Sequence, residues 1–278
     1  SCKSPQQMFG SVAKEILPEQ LNVKREDIVV VSIMPCTAKK VEANRDEFIK
    51  GKEKEVDYVI TTQELAAMIK QAGIDFENLT PESLDLPMGF KTGAGIIFGN
   101  SGGVSEAVLR YAYEKINGVR LNHVEFSEIR GTEAIREASI QLNGAKVNMA
   151  IVSGLKNAKE LMTKIKSGEA SYDLVEVMAC PGGCIGGAGQ PYIFDERAKN
   201  ERTKGLFDND KTLQLHKSQD NPYIQELYKN LLLEPGSSKA HNLLHTTYHN
   251  RKRIFDSELS LIDGIDSQKI EIKVCVGT

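Results

Sequence analysis

Tryptophan is absent from the 278-residue chain, cysteine is scarce at five residues, and no apolar run approaches the length of a bilayer span. The missing run excludes a membrane-spanning helix. Five cysteines, an odd and scattered set, exclude a disulfide scaffold; with no signal-peptide core at the N-terminus, the cytoplasm is the expected compartment. Net charge is also scarce, 38 acidic residues against 35 basic ones, which argues against a general binder of nucleic acid or anionic membrane. What remains is 40% apolar and 26% charged, an ordinary globular composition with length for a substantial core and about two domains. The chain opens on Ser1 and stops just past a strand-like run around Val274, so both ends read as cut.

Strand and helix signals alternate along the chain. Ser4-Pro5-Gln6-Gln7 reads as a helix start, with Ser4 as cap, Pro5 in the first turn and Gln7 completing a capping box; Pro18 is expected to bend or end that helix. Ile28–Ile33 is nearly continuous and β-branched, as in a strand covered on both faces. Tyr58-Val59-Ile60 is a second short strand, and Thr61 to Glu64 open a helix through Ile69. Residues 72–92 read as loop, Gly95–Phe98 as a third strand, and Gly99–Gly103 as a turn into a helix through Ala112. Further strands are expected at Val124–Phe126, Val147–Val152 and Leu174–Met178, with helices at Lys156–Ile165, Tyr223–Leu232 and Lys239–Leu244. This alternation predicts an α/β fold of mostly parallel sheets flanked by helices. Cys36, Gly99–Gly103, Gly154 and Cys180 all follow expected strands, so their loops are expected to converge at the carboxyl ends of the sheets.

Cys180-Pro-Gly-Gly-Cys184 carries the chemistry. Its intervening residues, two of them glycine, let both thiolates turn toward one centre, and Cys36 sits in a loop directly after a strand. An iron–sulfur site, a zinc site and inert cysteines are all compatible with this spacing, which is looser than usual for zinc and sparser than a ferredoxin run. Three thiolates leave a cubane one ligand short. Cys2 lies in the lead-in to a helix and Cys275 is remote.

Taken together, the segments Ser4–Gly10, Met34-Pro35-Cys36-Thr37-Ala38-Lys39-Lys40-Val41-Glu42 and Glu176–Gly187 closely resemble the catalytic domain of iron-only, or [FeFe], hydrogenases. Softer matches are Asp57–Leu65, Phe98–Val104, Arg130-Gly131, Gly154–Ala158 and Leu243–Tyr248, so the resemblance covers about residues 1–250. It implies two α/β lobes with an H-cluster between them: a [4Fe–4S] cubane joined to a two-iron subsite bearing CO, CN and azadithiolate ligands. Cys36, Cys180 and Cys184 would bind the cubane with one cysteine from upstream of Ser1, and Cys184 would bridge to the two-iron unit. Lys39 would donate a hydrogen bond to a cyanide; Met34, Phe98 and Met178 would pack around the subsite, with Ser4, Pro5 and Gln6 lining the pocket. The implied reaction is reversible oxidation of hydrogen to protons and electrons, exchanged with ferredoxin or nicotinamide-linked subunits, after assembly by maturation proteins. Without the upstream ligand and proton relay, this chain alone is expected to be inactive.

Asn100 and Ser105 depart from the family pattern, as does the stretch His216–Pro222. The first two keep a hydrogen-sensing relative open as a reading, and a non-catalytic iron–sulfur assembly or scaffold protein is another. A zinc-stabilised interaction domain would explain the cysteines but not the long matching segments. Beyond Tyr248, residues 251–268 read as a linker, and 269–278 as the first strand of another domain. Cys275-Val276-Gly277-Thr278 resembles the opening of a thioredoxin-like [2Fe–2S] module, in which Cys275 would be a ligand.

Overall fold

The structure, a computed structural model, describes residues 1–86, 88–121, 125–131, 133–192 and 196–249. The expected linker, the expected strand over 269–278 and Cys275 therefore lie outside the described residues, as does Val124.

Helix α1 spans Pro5–Leu21. Ser4 caps it, its Oγ accepting the Gln7 N–H, but the expected reciprocal bond is not made: the Gln7 side chain is fully buried and neither amide atom has a partner. Pro18 does not end the helix. The last turn closes past it, with the Asn22 and Val23 N–H groups bonding back to the Glu19 and Pro18 carbonyls. Strand β1 (Val31–Met34) pairs in parallel with β4 (Tyr58–Thr61), from Val31 opposite Tyr58 to Met34 opposite Thr61. Between them lie α2 (Ala38–Ala43) and a minimal antiparallel pair, β2 (Ile49–Lys50) with β3 (Glu53–Lys54). Helix α3 (Thr62–Gln71) follows β4, opened by a complete capping box between Thr61 and Glu64.

β1 is not covered on both faces. Val29, Val31 and Ile33 are 60%, 49% and 52% exposed, while α1 meets the other face, where Ser32 bonds Gln6. A short apolar run reports burial only when a second layer exists to receive it.

The expected strand at Gly95–Phe98 is instead helix α4 (Gly93–Ile97), with Thr92 Oγ1 accepting the Gly95 N–H. A short apolar run does not by its period distinguish a strand from a buried helical turn, and here the cap decides. Helix α5 (Gly103–Asn117) follows. Glu125 and Phe126 are irregular rather than strand, leading into a 3-10 turn at Ser127–Ile129.

The larger sheet runs β5 (Ile135–Leu142), β6 (Ala145–Ser153), β7 (Leu174–Met178), with β5–β6 antiparallel and β6–β7 parallel. β6 is covered on both faces. Met149 and Ile151 join Leu109, Ile129 and Leu142 on the α5 side, while Ala150 and Val152 pack with Ala158 and Leu161 of α6 (Leu155–Ser167). Helices α7 (Glu196–Thr212), α8 (Pro222–Leu227, running into a wider turn to Leu232) and α9 (Ser238–Leu244) complete the described chain. α7 has almost no apolar face. It is anchored by charge: the buried Arg110 guanidinium bonds both carboxylate oxygens of Asp210 at 3.1 and 2.6 Å and Glu106 at 2.7 Å. Arg130 also reaches Glu106 and stacks over the Phe207 ring.

Candidate metal centre

The sheets that contain β1 and β7 both end in cysteine loops. β1 stops at Met34, placing Cys36 just ahead of α2, and β7 stops at Met178, placing Cys180 two residues on. The segment from Cys180 turns through the Gly183 N–H bonded to the Cys180 carbonyl, then through a 3-10 turn at Cys184–Gly186. It lies between the two other loops. On one side the Gly189 N–H bonds the Pro35 carbonyl at 3.0 Å, and a Cβ at Gly187 would collide with that same carbonyl. On the other, the Ile185 N–H bonds the Gly99 carbonyl at 3.1 Å, the Ser101 N–H bonds the Gly182 carbonyl, and a Cβ at Gly183 would meet the Ser101 nitrogen at 2.6 Å. The Gly154 N–H bonds the Met178 carbonyl, bringing in the fourth loop. The expected convergence is thus present, although the Gly99 loop follows a helix rather than a strand. Backbone contacts at this distance require glycine.

Cys36, Cys180 and Cys184 are all half-buried. Burial pushes the Cys184 thiol up, and the neighbouring Cys36 and Cys180 push it further; Lys39 pulls the other way. Burial and then Cys36 raise Cys180 as well, against a hydrogen bond from the Ala188 backbone. Each thiolate formed here discourages the next, so three together need cationic charge between them, which iron supplies. Among the described residues no three Cys, His, Asp or Glu side chains close around a single ion. A cubane presents separate iron corners and does not need its thiolates to meet at one point. The donor set fits a cluster better than a mononuclear zinc ion.

Lys39 is buried. Its Nζ lies 2.8 Å from Glu42 Oε2, which also accepts the Ser4 hydroxyl at 2.9 Å. Gln6 Nε2 donates to the Lys39 carbonyl and Gln6 Oε1 accepts from Ser32, so Ser4, Gln6 and Lys39 belong to one network. Pro5 is exposed and enters none of it. Met178 is buried at the end of β7, while Met34 and Phe98 are half-buried at the ends of β1 and α4. Asn100 and Ser105, the two departures, are both buried, and Asn100 Oδ1 and Ser105 Oγ have no partner. In the third departing stretch, His216 Nδ1 lies 3.2 Å from Asp210 Oδ1, and Lys217 pairs with Glu114 and Asp220. Burial alone would raise Asp210, but Arg110 and then His216 outweigh it and hold the carboxyl below its usual range.

Sequence reading gave no role to Glu42, although its place three residues after Lys39 on a helix was the signal. It also passed over Arg202, which donates to the Ile185 carbonyl at 2.9 Å and the Pro191 carbonyl at 3.2 Å, tying α7 to the cysteine loop.

The family model of the iron-only hydrogenase large subunit, C-terminal domain, matches residues 1–188. The chain belongs to that family. The model of the iron hydrogenase small subunit matches residues 196–251, so both patterns lie on one chain. The NADP-reducing hydrogenase subunit HndD of Solidesulfovibrio fructosivorans is 46% identical over 255 residues, covering 91% of this chain and 43% of that protein. Protein NAR1 of Arabidopsis thaliana is 34% identical over 277 residues, covering 94% and 58%. A solved [FeFe]-hydrogenase HydA1 from Chlamydomonas reinhardtii superposes with a TM-score of 0.76 at 40% identity, covering 89% of this chain and 69% of that one. The chain spans less than half the length of HndD, and its relatives include cytosolic Fe–S cluster assembly factors as well as hydrogenases. No helix among the described residues is long and apolar enough to cross a membrane.

Proposed function

We propose that the complete protein oxidises and produces molecular hydrogen reversibly, with Cys36, Cys180 and Cys184 as cluster ligands. The observation that carries the reading is the backbone lock of Pro35 against Gly187 and Gly189, which holds Cys36 beside the Cys180–Cys184 turn. When bound, the H-cluster supplies electron storage in its cubane and hydrogen chemistry in its two-iron subsite with CO, CN and azadithiolate ligands.

The protein's own residues position and enclose. The thiolates of Cys36, Cys180 and Cys184 would hold the cubane, with Cys184 the one turned toward the two-iron subsite. The Lys39 ammonium bonds Glu42, which Ser4 holds in place, and there it would donate to a cyanide. Met178, Met34 and Phe98 would exclude water from the subsite, and Gln6 fixes the Lys39 backbone. The likeness to an NADP-reducing hydrogenase subunit supports a nicotinamide-linked electron partner, with ferredoxin as the other carrier class. Maturation proteins would deliver the subsite.

An iron–sulfur assembly role is the second reading, favoured by the 34% identity to NAR1 over nearly the whole chain. Infrared spectra of the full-length protein after maturation separate the two. Carbonyl and cyanide bands together with hydrogen turnover are expected; a bound cubane without those bands, beside a matured control, would favour assembly and overturn the hydrogenase reading.

A further inference from the structure

Glu176 is an acid in the middle of an otherwise apolar strand, 3% exposed, opposite Ile151 in the parallel register of β6 and β7. Both of its oxygens are committed to the next loop: Oε1 accepts the Gly102 N–H, and Oε2 accepts the Ser105 N–H at 2.8 Å in the first turn of α5. This is a helix cap supplied from another element, and it fastens the segment that follows Phe98 to the strand that leads to Cys180.

Behind that loop lies Arg136, 7% exposed, whose guanidinium donates to the carbonyls of Ile129 at 3.2 Å, Glu133 at 2.6 Å and Ser101 at 2.9 Å. It also donates to Ser101 Oγ at 3.2 Å, and it feels the charge of Glu176 across the loop. The loop that Glu176 holds is bonded in turn to the cysteine segment, the Ser101 N–H donating to the Gly182 carbonyl and the Ile185 N–H to the Gly99 carbonyl, both at 3.1 Å. The cysteine turn is thus tied on the β7 side to the loop held by the buried Glu176, and on the α2 side to Pro35, four residues before the buried Lys39.

We propose that Glu176 is a positioning residue that tunes the cluster: its carboxylate fixes the Gly99–Ser105 loop, and its charge, partly balanced by Arg136, lowers the reduction potential. The inference rests on the cluster assignment above. Adding an electron to a buried cluster adds negative charge, and a fixed anion in a medium of low dielectric disfavours that step.

The test is the midpoint potential of the cubane in the reconstituted full-length protein, read by electron paramagnetic resonance in a redox titration. Glu176→Gln removes the charge while keeping the shape. Glu176→Asp keeps the charge but shortens the reach to Gly102 and Ser105. The expected result is a potential raised in Glu176→Gln, with a several-fold larger reduced fraction at the potential where wild type is half-reduced. Glu176→Asp is expected to keep the wild-type potential while losing thermal stability. Arg136→Gln should lower the potential, and this decides the matter if Glu176→Gln does not fold. An unchanged potential in Glu176→Gln, an equal rise in Glu176→Asp, or an unchanged potential in Arg136→Gln overturns the proposal. A wild-type protein that takes up no cubane overturns the cluster assignment itself, a separate outcome.

Discussion

The two cysteine loops stand on foundations of different kinds. Cys36 follows a two-stranded sheet whose outer face is open and whose surroundings are joined by charge: Lys3 pairs with Glu55, Lys14 with Asp57, and Lys39 with Glu42. Cys180 and Cys184 follow a sheet whose central strand is sealed between α5 and α6. Apolar burial is non-directional and tolerates small shifts, whereas a buried ion pair holds only in one geometry and is costly once broken. The Cys36 side is therefore the part expected to respond to single charge changes, and the Cys180 side the part expected to respond to lost volume.

The largest expected effect falls on the charged side. Lys3→Met strands Glu55, which already has one unpartnered oxygen, and should cost about 3–5 kcal/mol in denaturant unfolding. Replacing both partners with apolar residues of similar size should restore most of that loss. On the apolar side, Ile151→Ala empties part of a fully buried strand and should cost about 2–5 kcal/mol, with no rescue from a charge change. Equal rescue of both variants would erase the distinction.

Where the two sides meet, Gly187→Ala should drive the Pro35 carbonyl away and separate Cys36 from the Cys180 turn. Iron release to a chelator should then be several-fold faster than from wild type. Smaller still is a pH effect on α3. Hydrogen bonds from Lys40 and from the Thr61 backbone and hydroxyl hold the Glu64 carboxyl down at about 2, below its ordinary 4.5. Its folded value is depressed, so its capping contribution is full above about 4.5 and is lost as the pH falls toward about 2. Amide exchange in the first turn of α3 should accelerate across that window and not above it. The smallest effect belongs to Ile33→Thr on the open face of β1, expected within about 0.5 kcal/mol of wild type in this chain.

Much of the site was legible because its signals are local. Ser4 and Thr61 mark their helix starts, Leu174–Met178 is the strand expected, and the two cysteine loops lie where the spacing puts them. Part of what escaped is held by distant partners. α7 shows no apolar stripe, and its anchor, Asp210, bonds an arginine one hundred residues earlier. β5 was missed although Asn143-Gly144, both at positive φ, is the pair a tight hairpin turn prefers. Glu176 breaks the apolar run of β7, yet only the fold reveals the two backbone N–H groups that receive it.

The central claim is that Cys36, from one sheet, and Cys180 and Cys184, from the other, hold a single cubane. Electron paramagnetic resonance of the reduced, reconstituted full-length protein tests it most directly. The account predicts a [4Fe–4S] signal in wild type that is lost, or converted to a three-iron form, in each of Cys36→Ala, Cys180→Ala and Cys184→Ala. A wild-type signal persisting unchanged in any of the three variants would contradict it.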